Sequence, residues 1–185
     1  MALPQTEQNV ADLHWLAALL TGSHEVAADV TLQAIAPADG ADPFFVTWMH
    51  AWARRLVIAK ALMAVRGELA ESARRTALRR TESSPLPPRT WSLGRETSKS
   101  DLERALLAID LFPRAAVLLL AYEHVPLQDA ATLLDAEPDL VRTALAAGLR
   151  DLTINLARAH GWREALPVGT ARREEYYVRP AEVWS

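Results

Sequence analysis

A polar, proline-bearing segment divides the sequence into two stretches whose apolar residues recur at helical spacing. It covers residues 81–100 and contains Ser83-Ser84-Pro85, Pro87-Pro88, Gly94 and Ser98. Proline and glycine interrupt regular structure, and polar segments that contain them act as spacers. No stretch shows the period-two alternation that a half-buried strand requires. The sequence therefore predicts an all-α protein in which two small helical domains are joined by a flexible linker.

The N-terminal domain, residues 1–80, has clear helix boundaries. Thr21-Gly22-Ser23 separates two apolar stretches, and Asp42-Pro43 predicts the start of another helix, because aspartate caps helices and proline fits the first helical position. We expect this helix to continue from Phe44 past Arg66. One of its faces carries large apolar residues at spacings of three and four, which we interpret as core. They are Phe45, Trp48, Met49, Trp52 and Leu56.

The C-terminal domain, residues 101–160, has a proline near the start of each of three expected helices, at Pro113, Pro126 and Pro138. A short helix from Pro126, a turn at Asp135-Ala136-Glu137 and a longer amphipathic helix follow the order of a helix-turn-helix. The turn has Asp135 where glycine is usual. The apolar face predicted on the longer helix consists of Val141, Leu145, Leu149 and Leu152. Residues 161–185 are a tail whose role the sequence leaves open.

Composition argues against several classes of protein. Half of the 185 residues are hydrophobic and cysteine is absent, which removes disulfides, thiolate metal sites and cysteine nucleophiles. The five histidines are scattered, and there is no glycine-rich phosphate loop. We therefore expect no enzyme activity, no metal, no cofactor and no small-molecule substrate. No apolar run approaches the roughly 20 residues of a membrane span, and residues 1–20 lack the basic start of a signal peptide, so we expect a cytoplasmic protein.

Charge is distributed unevenly along the chain. Residues 1–42 contain six acidic residues and no lysine or arginine, whereas residues 54–99 contain eleven basic and four acidic residues. Residues 101–151 reverse this balance, with four basic and nine acidic residues. Affinity for nucleic acid grows with the number of phosphates that lysine and arginine neutralise. The C-terminal domain is therefore poorly equipped for phosphate contacts.

Three segments occur in the order and spacing of one known family. Leu13–Gln33 contains a Thr-Gly turn followed by an aspartate and a glutamine four residues apart. Phe45–Arg55 reads Phe-Val-Thr-Trp-Met-His-Ala-Trp-Ala-Arg-Arg, and Leu111–Leu152 holds the expected helix-turn-helix. Together they resemble the small two-domain sigma factors of the extracytoplasmic-function type, in the sigma-70 family. The chain departs from that family at Arg55, which replaces an asparagine, and by having Ala27-Ala28 before Asp29, so it resembles a divergent member.

The resemblance implies a sigma factor that directs core RNA polymerase to promoter DNA in transcription initiation. It implies that Asp29 and Gln33, which share one helix face, contact the polymerase. The basic helix from Phe44 to Arg66 would engage the opened DNA strand, and the second helix of the helix-turn-helix would contact upstream duplex DNA weakly. The residues that we assign to DNA binding are Arg54, Arg55, Lys60, Arg66, Arg142, Thr143 and Arg150.

The missing family residues leave an alternative open. Alanines at positions 27, 28, 59 and 146, together with the acidic C-terminal domain, also fit a sigma-factor mimic that binds an anti-sigma factor with little or no DNA binding. An ordinary solvated helix surface is the competing interpretation of each DNA-binding residue. In either case we expect that the two domains of the free protein can pack together and hide the proposed binding surfaces.

Overall fold

The computed structural model describes residues 5–35, 46–78 and 97–162. Within these ranges every regular element is a helix, which confirms the all-α prediction. Most of the expected linker and tail lies outside them. The helices are α1 (Gln5–Thr21), α2 (His24–Ile35), α3 (Val46–Ala64), α4 (Arg66–Leu78), α5 (Lys99–Leu107), α6 (Leu111–Val117), a π-helical turn (Leu118–Tyr122), α7 (Leu127–Leu134) and α8 (Pro138–Ala159).

The break between α1 and α2 lies at the predicted Thr-Gly-Ser turn. Gly22 has a φ of +74°, a conformation that favours glycine because it has no Cβ. The Thr21 hydroxyl donates to the carbonyl oxygen of Ala17 at 2.8 Å, and the Ser23 hydroxyl accepts from the amide of Val26 at 3.3 Å. The Ser23 bond satisfies an amide that the start of α2 would otherwise leave unpaired.

Helices α3 and α4 are separated only by Val65. The Val65 amide donates to the Ala61 carbonyl at 3.3 Å, and the Leu69 amide donates to the Val65 carbonyl at 2.8 Å. The single helix expected to continue past Arg66 is therefore divided in two: α3 ends at Ala64 and α4 begins at Arg66, with one helical hydrogen bond on each side of Val65. The start expected at Asp42-Pro43 lies outside the described residues.

The core stripe predicted on α3 is wrong at Trp52, which is 37% exposed. Leu56 is only half-buried, and the side chains of Phe45, Trp48 and Met49 lie outside the described residues. The buried face of α3 carries Ala53, Val57, Ile58, Ala61 and Leu62. This face includes two alanines, whose small side chains let α1 and α2 pack closely against α3. The prediction placed the face with the largest apolar residues in the core, whereas close packing of the helices buries the neighbouring face of α3.

Helix α6 lies at the centre of the C-terminal half, and all of its residues are buried. It packs against α8 on one side and α4 on another. The buried amide of Phe112 donates to the Ser72 hydroxyl of α4 at 2.8 Å. One hydrophobic cluster runs through both halves and includes Leu16, Leu69, Phe112 and Val141. The two halves thus pack together in the free protein, as expected.

The apolar face predicted on α8 is wrong at Leu149, which is 42% exposed. Val141 is buried as expected, but Leu145 and Leu152 are half-buried. The remaining buried positions of α8 are Ala144, Gly148, Ile154 and Ala157. An added Cβ at Gly148 would lie 2.6 Å from a methyl carbon of Val117. Helix α6 therefore crosses α8 at Gly148, the smallest residue of α8. This close approach leaves the face of α8 that carries Leu145, Leu149 and Leu152 partly exposed to solvent.

Candidate functional site

The two residues assigned to the polymerase share an exposed face of α2. The Gln33 side-chain amide donates to the Asp29 carboxylate at 2.8 Å. The Lys60 ammonium of α3 donates to the Gln33 side-chain oxygen at 2.9 Å. Leu32, on the same helix, is 63% exposed. The structure therefore brings Lys60, which was assigned to DNA, into the polar group formed by Asp29 and Gln33.

Arg54 lies against the C-terminal half. Its Nε and Nη2 atoms donate to the two carboxylate oxygens of Glu123, each at 2.6 Å. The Glu123 side chain is 8% exposed and that of Arg54 25%. The guanidinium carbon of Arg54 also lies 5.7 Å from the ring centroid of Tyr122. The hydrogen bonds that Arg54 donates to Glu123 raise the pKa of Arg54 against the opposing effect of burial. Arg54 is thus engaged inside the protein in this conformation.

An irregular backbone segment positions Glu123 for this contact. The π-helical turn ends at Tyr122, and the Glu123 amide donates to the Leu118 carbonyl at 2.9 Å. The next residue, His124, has a φ of +53°, which is uncommon for a residue other than glycine. The Tyr122 ring also meets Trp15 of α1 edge-on, with 5.9 Å between ring centroids. Glu123 and Tyr122 are therefore presented to the N-terminal half at the end of a wide helical turn.

Arg66 also reaches the C-terminal half. Its Nη2 atom lies 2.7 Å from Oδ2 of Asp135, and the two side chains are 67% and 76% exposed. Asp135 ends α7 in the left-handed conformation, with φ 51° and ψ 50°. Aspartate tolerates this conformation better than most residues, which explains how the turn forms without glycine. Arg66 and Asp135 also line a groove of about 270 Å³ beside the apolar side chains of Met63 and Leu133.

The candidate DNA-reading residues of α8 make contacts within their own helix. Arg142 forms an ion pair with Asp139, one turn earlier. The Thr143 hydroxyl donates to the Asp139 carbonyl at 2.9 Å. Both side chains are exposed, whereas Arg150 is half-buried. Arg142 and Thr143 therefore lie on the surface of α8 beside an acidic residue.

Arg55 lies on the exposed side of α3. Trp52 is three residues away and also exposed, so the two side chains share one face of the helix. The structure thus places an arginine and a tryptophan side by side at the surface, where the sequence had predicted a buried tryptophan.

A third ion pair between the halves was missed in the sequence. Nε and Nη2 of Arg75 donate to the two oxygens of Asp110 at 3.0 and 2.7 Å. The hydrogen bonds that Arg75 donates to Asp110 raise the pKa of Arg75. Burial acts to raise the pKa of Asp110, but hydrogen bonds from Arg75 and Ser72 and from the amide of Leu111 outweigh it and lower that pKa. The opposite charges of residues 54–99 and 101–151 were the one available sequence signal for such pairs.

The start of α5 is held against α1 and α2 by a separate group of side chains. The indole nitrogen of Trp15 donates to Glu103 at 3.2 Å. Nε2 of His24 lies 3.6 Å from the same carboxylate, and the Lys99 ammonium lies 5.0 Å from the Trp15 ring centroid. This group adds further polar contacts between the halves.

Among the described residues, no three histidine or acidic side chains are grouped so that they could hold a metal ion. None of the helices in these ranges is long and apolar enough to cross a membrane.

Comparison with known proteins gives one structural likeness. No family model matches the chain, and no curated protein matches its sequence. Among solved structures, the chain is similar to the sigma factor RpoE in its co-crystal structure with the anti-sigma factor NepR from Bartonella quintana. The sequence identity is 16%, the match covers 82% of this chain and 94% of that chain, and the TM-score is 0.49. Values of this size do not establish a shared family.

Proposed function

We propose that this chain is a divergent sigma factor that brings core RNA polymerase to promoter DNA, and that it is not an enzyme. Residues 1–80 and 101–160 would be its two working domains. The observation that carries the proposal is the unit formed by α7, a three-residue turn and α8. Asp135 adopts the left-handed conformation that such a turn requires. This unit supports the sequence resemblance at a position where the chain departs from the usual glycine.

The exposed face of α2 supports a polymerase contact. Asp29 and Gln33 are both solvent-exposed, and Gln33 connects them to Lys60. Polar groups beside an exposed leucine are typical of a protein interface with a polar rim. We assign the polymerase contact to this face.

The neighbouring exposed side chains of Trp52 and Arg55 support contact with an opened DNA strand. Proteins that bind single strands combine basic side chains with aromatic rings on which bases stack. Arg55 supplies the charge and Trp52 the ring, and both lie on the surface of α3.

A sigma-factor mimic is the second candidate, and the contacts of α8 favour it. Arg142 is paired with Asp139, and the Thr143 hydroxyl is bonded to the backbone of its own helix. Both groups therefore already have partners within α8, and each would have to exchange its partner to contact a base edge or a phosphate. A mimic would bind an anti-sigma factor through the same helical surfaces and bind DNA weakly or not at all.

Competition for core RNA polymerase tests the first candidate. The purified chain would be mixed with core polymerase and a labelled housekeeping sigma factor, and displacement of the label would be measured. We expect displacement by the wild type and much weaker displacement by Asp29→Arg. Glu68→Arg is the matched control, because it makes the same charge reversal at an exposed position of α4 that has no assigned contact.

The result separates the two candidates. Equal loss in the Asp29 and Glu68 variants would remove the assignment of the α2 face. No displacement by a folded, helical wild-type protein would overturn the sigma-factor proposal. Binding to an anti-sigma protein, without salt-dependent DNA affinity, would then favour the mimic.

A further inference from the structure

Three arginines of α3 and α4 pair with carboxylates of the C-terminal half. These two helices carry six lysine and arginine residues within the described range, and three of the six pair across to the C-terminal half. Two of the three, Arg54 and Arg66, are residues that the sequence assigned to DNA. The pairs are Arg54–Glu123 at 2.6 Å, Arg66–Asp135 at 2.7 Å and Arg75–Asp110 at 2.7 Å.

We propose that Arg54 and Arg66 bind phosphates of a single-stranded nucleic acid, and that Glu123 and Asp135 occupy the same guanidinium groups when no nucleic acid is bound. The C-terminal half is then a built-in competitor that masks the basic face of α3 and α4. A guanidinium group binds a carboxylate or a phosphate through the same fork of N–H donors, so either anion satisfies it. The identity of the competing polyanion rests on the proposed function.

The charge contrast between the C-terminal half and helices α3 and α4 is an independent reason for this assignment. Residues 101–151 have nine acidic residues against four basic ones, which opposes DNA binding by this half. Helices α3 and α4 have the reverse excess, with six basic residues against two acidic ones in the part of them that the structure describes. An acidic C-terminal half is explained if its function includes covering this basic surface.

The two masking contacts differ in how readily they can open. Arg66 and Asp135 are 67% and 76% exposed, so Arg66 can exchange its partner without separation of the halves. The Glu123 side chain is only 8% exposed, so we expect release of Arg54 to involve movement of the segment that presents Glu123. That segment includes the π-helical turn and His124 at a φ of +53°, where regular helical hydrogen bonding is interrupted. We therefore expect Arg66 to be released first and Arg54 second.

The test measures affinity for a fluorescent oligo(dT) strand at several salt concentrations. Glu123→Gln/Asp135→Asn removes both masking charges and keeps the shapes of the side chains. Each new phosphate contact on a single strand steepens the salt dependence by about 0.7, so we expect a slope steeper by about 1.4. The same relation gives an affinity gain of about 25-fold at about 0.1 M salt.

Two further variants make the result decisive. Glu68→Gln/Asp129→Asn makes the same change in net charge at exposed residues that form no ion pair in the described structure, and its slope should match the wild type. Asp135→Asn alone changes only an exposed side chain, so it tests masking even if the Glu123 variant folds poorly. Its expected slope change is about 0.7. Equal slopes in masking and control variants, or no oligo(dT) binding by any variant, would overturn the masking proposal.

Polymerase competition by the same variants separates this proposal from the proposed function. A steeper slope without displacement of the housekeeping sigma factor would support masking and count against the sigma-factor assignment. Displacement with an unchanged slope would support the sigma-factor assignment and overturn masking.

Discussion

The close crossing of α6 and α8 predicts that a single added methyl group at Gly148 destabilises the protein. The new Cβ would lie 2.6 Å from Cγ2 of Val117 and 2.7 Å from the carbonyl oxygen of Pro113. Since one of these contacts is with backbone, a side-chain rotation cannot relieve it, and α6 must shift against α8. Overpacking of this kind costs about 1–3 kcal/mol, and we place Gly148→Ala in the upper half of that range.

A gain in helix propensity offsets part of this cost. Alanine is favoured over glycine inside a helix by about 1 kcal/mol, which leaves a net loss of about 1–2 kcal/mol. Gly67→Ala is the matched control, because no atom lies within 4 Å of a Cβ at Gly67. The control should gain about 0.4–1 kcal/mol.

Urea unfolding followed by far-ultraviolet circular dichroism measures both effects. The midpoint should fall for Gly148→Ala and rise for Gly67→Ala, with thermal midpoints moving by about 2–4 °C per kcal/mol for a chain of this size. A rise in both midpoints would mean that propensity alone determines the outcome. The reasoning from close packing at α6 and α8 would then be refuted.

Three further predictions concern polar contacts and the turn before α8. Ser72→Ala removes the acceptor of the buried Phe112 amide and should cost about 1–3 kcal/mol in urea unfolding; wild-type stability would contradict a role for this bond. Asp135→Gly removes the conformational strain of a side chain at a φ of 51° and loses only an exposed ion pair worth at most about 1 kcal/mol. The thermal midpoint of this variant should therefore stay the same or rise, whereas Asp135→Val should lower it. The lowered pKa of Asp110 means that its stabilising effect is complete above the ordinary aspartate pKa of about 3.9 and is lost as pH falls through the folded-state pKa. An acid titration of stability should therefore be flatter below about pH 4 for Asp110→Asn than for the wild type, and parallel curves would exclude this contribution.

Much of the secondary structure was predictable because its signals are local. The turn at Thr21-Gly22-Ser23 and the start of α8 at Pro138 follow from residues that change backbone freedom where they stand. The turn at Asp135 was also expected, although its glycine is missing. The buried faces were predicted less well. Trp52 was predicted to lie in the core but is exposed. The positions of large apolar residues suggest which face of a helix is buried, but the neighbouring helices that pack against it decide the outcome.

The candidate site was predictable as a set of residues but not as a set of contacts. The sequence singled out Arg54 and Arg66 from their position in a basic stretch. It could not show that each meets a carboxylate 69 residues further along the chain. Nor could it show that Lys60 lies against Gln33, because both facts depend on how helices from distant parts of the chain pack.

The sequence by itself determined the helical class, the helix breaks and the opposite net charges of residues 54–99 and 101–151. These properties arise from periodicity, capping residues and composition, which act over a few neighbouring residues. Only the tertiary structure decided which helix faces are buried and which charges are neutralised. Close packing at Gly148 and the pairing of Arg54 with Glu123 require surfaces that exist only after the two halves have come together.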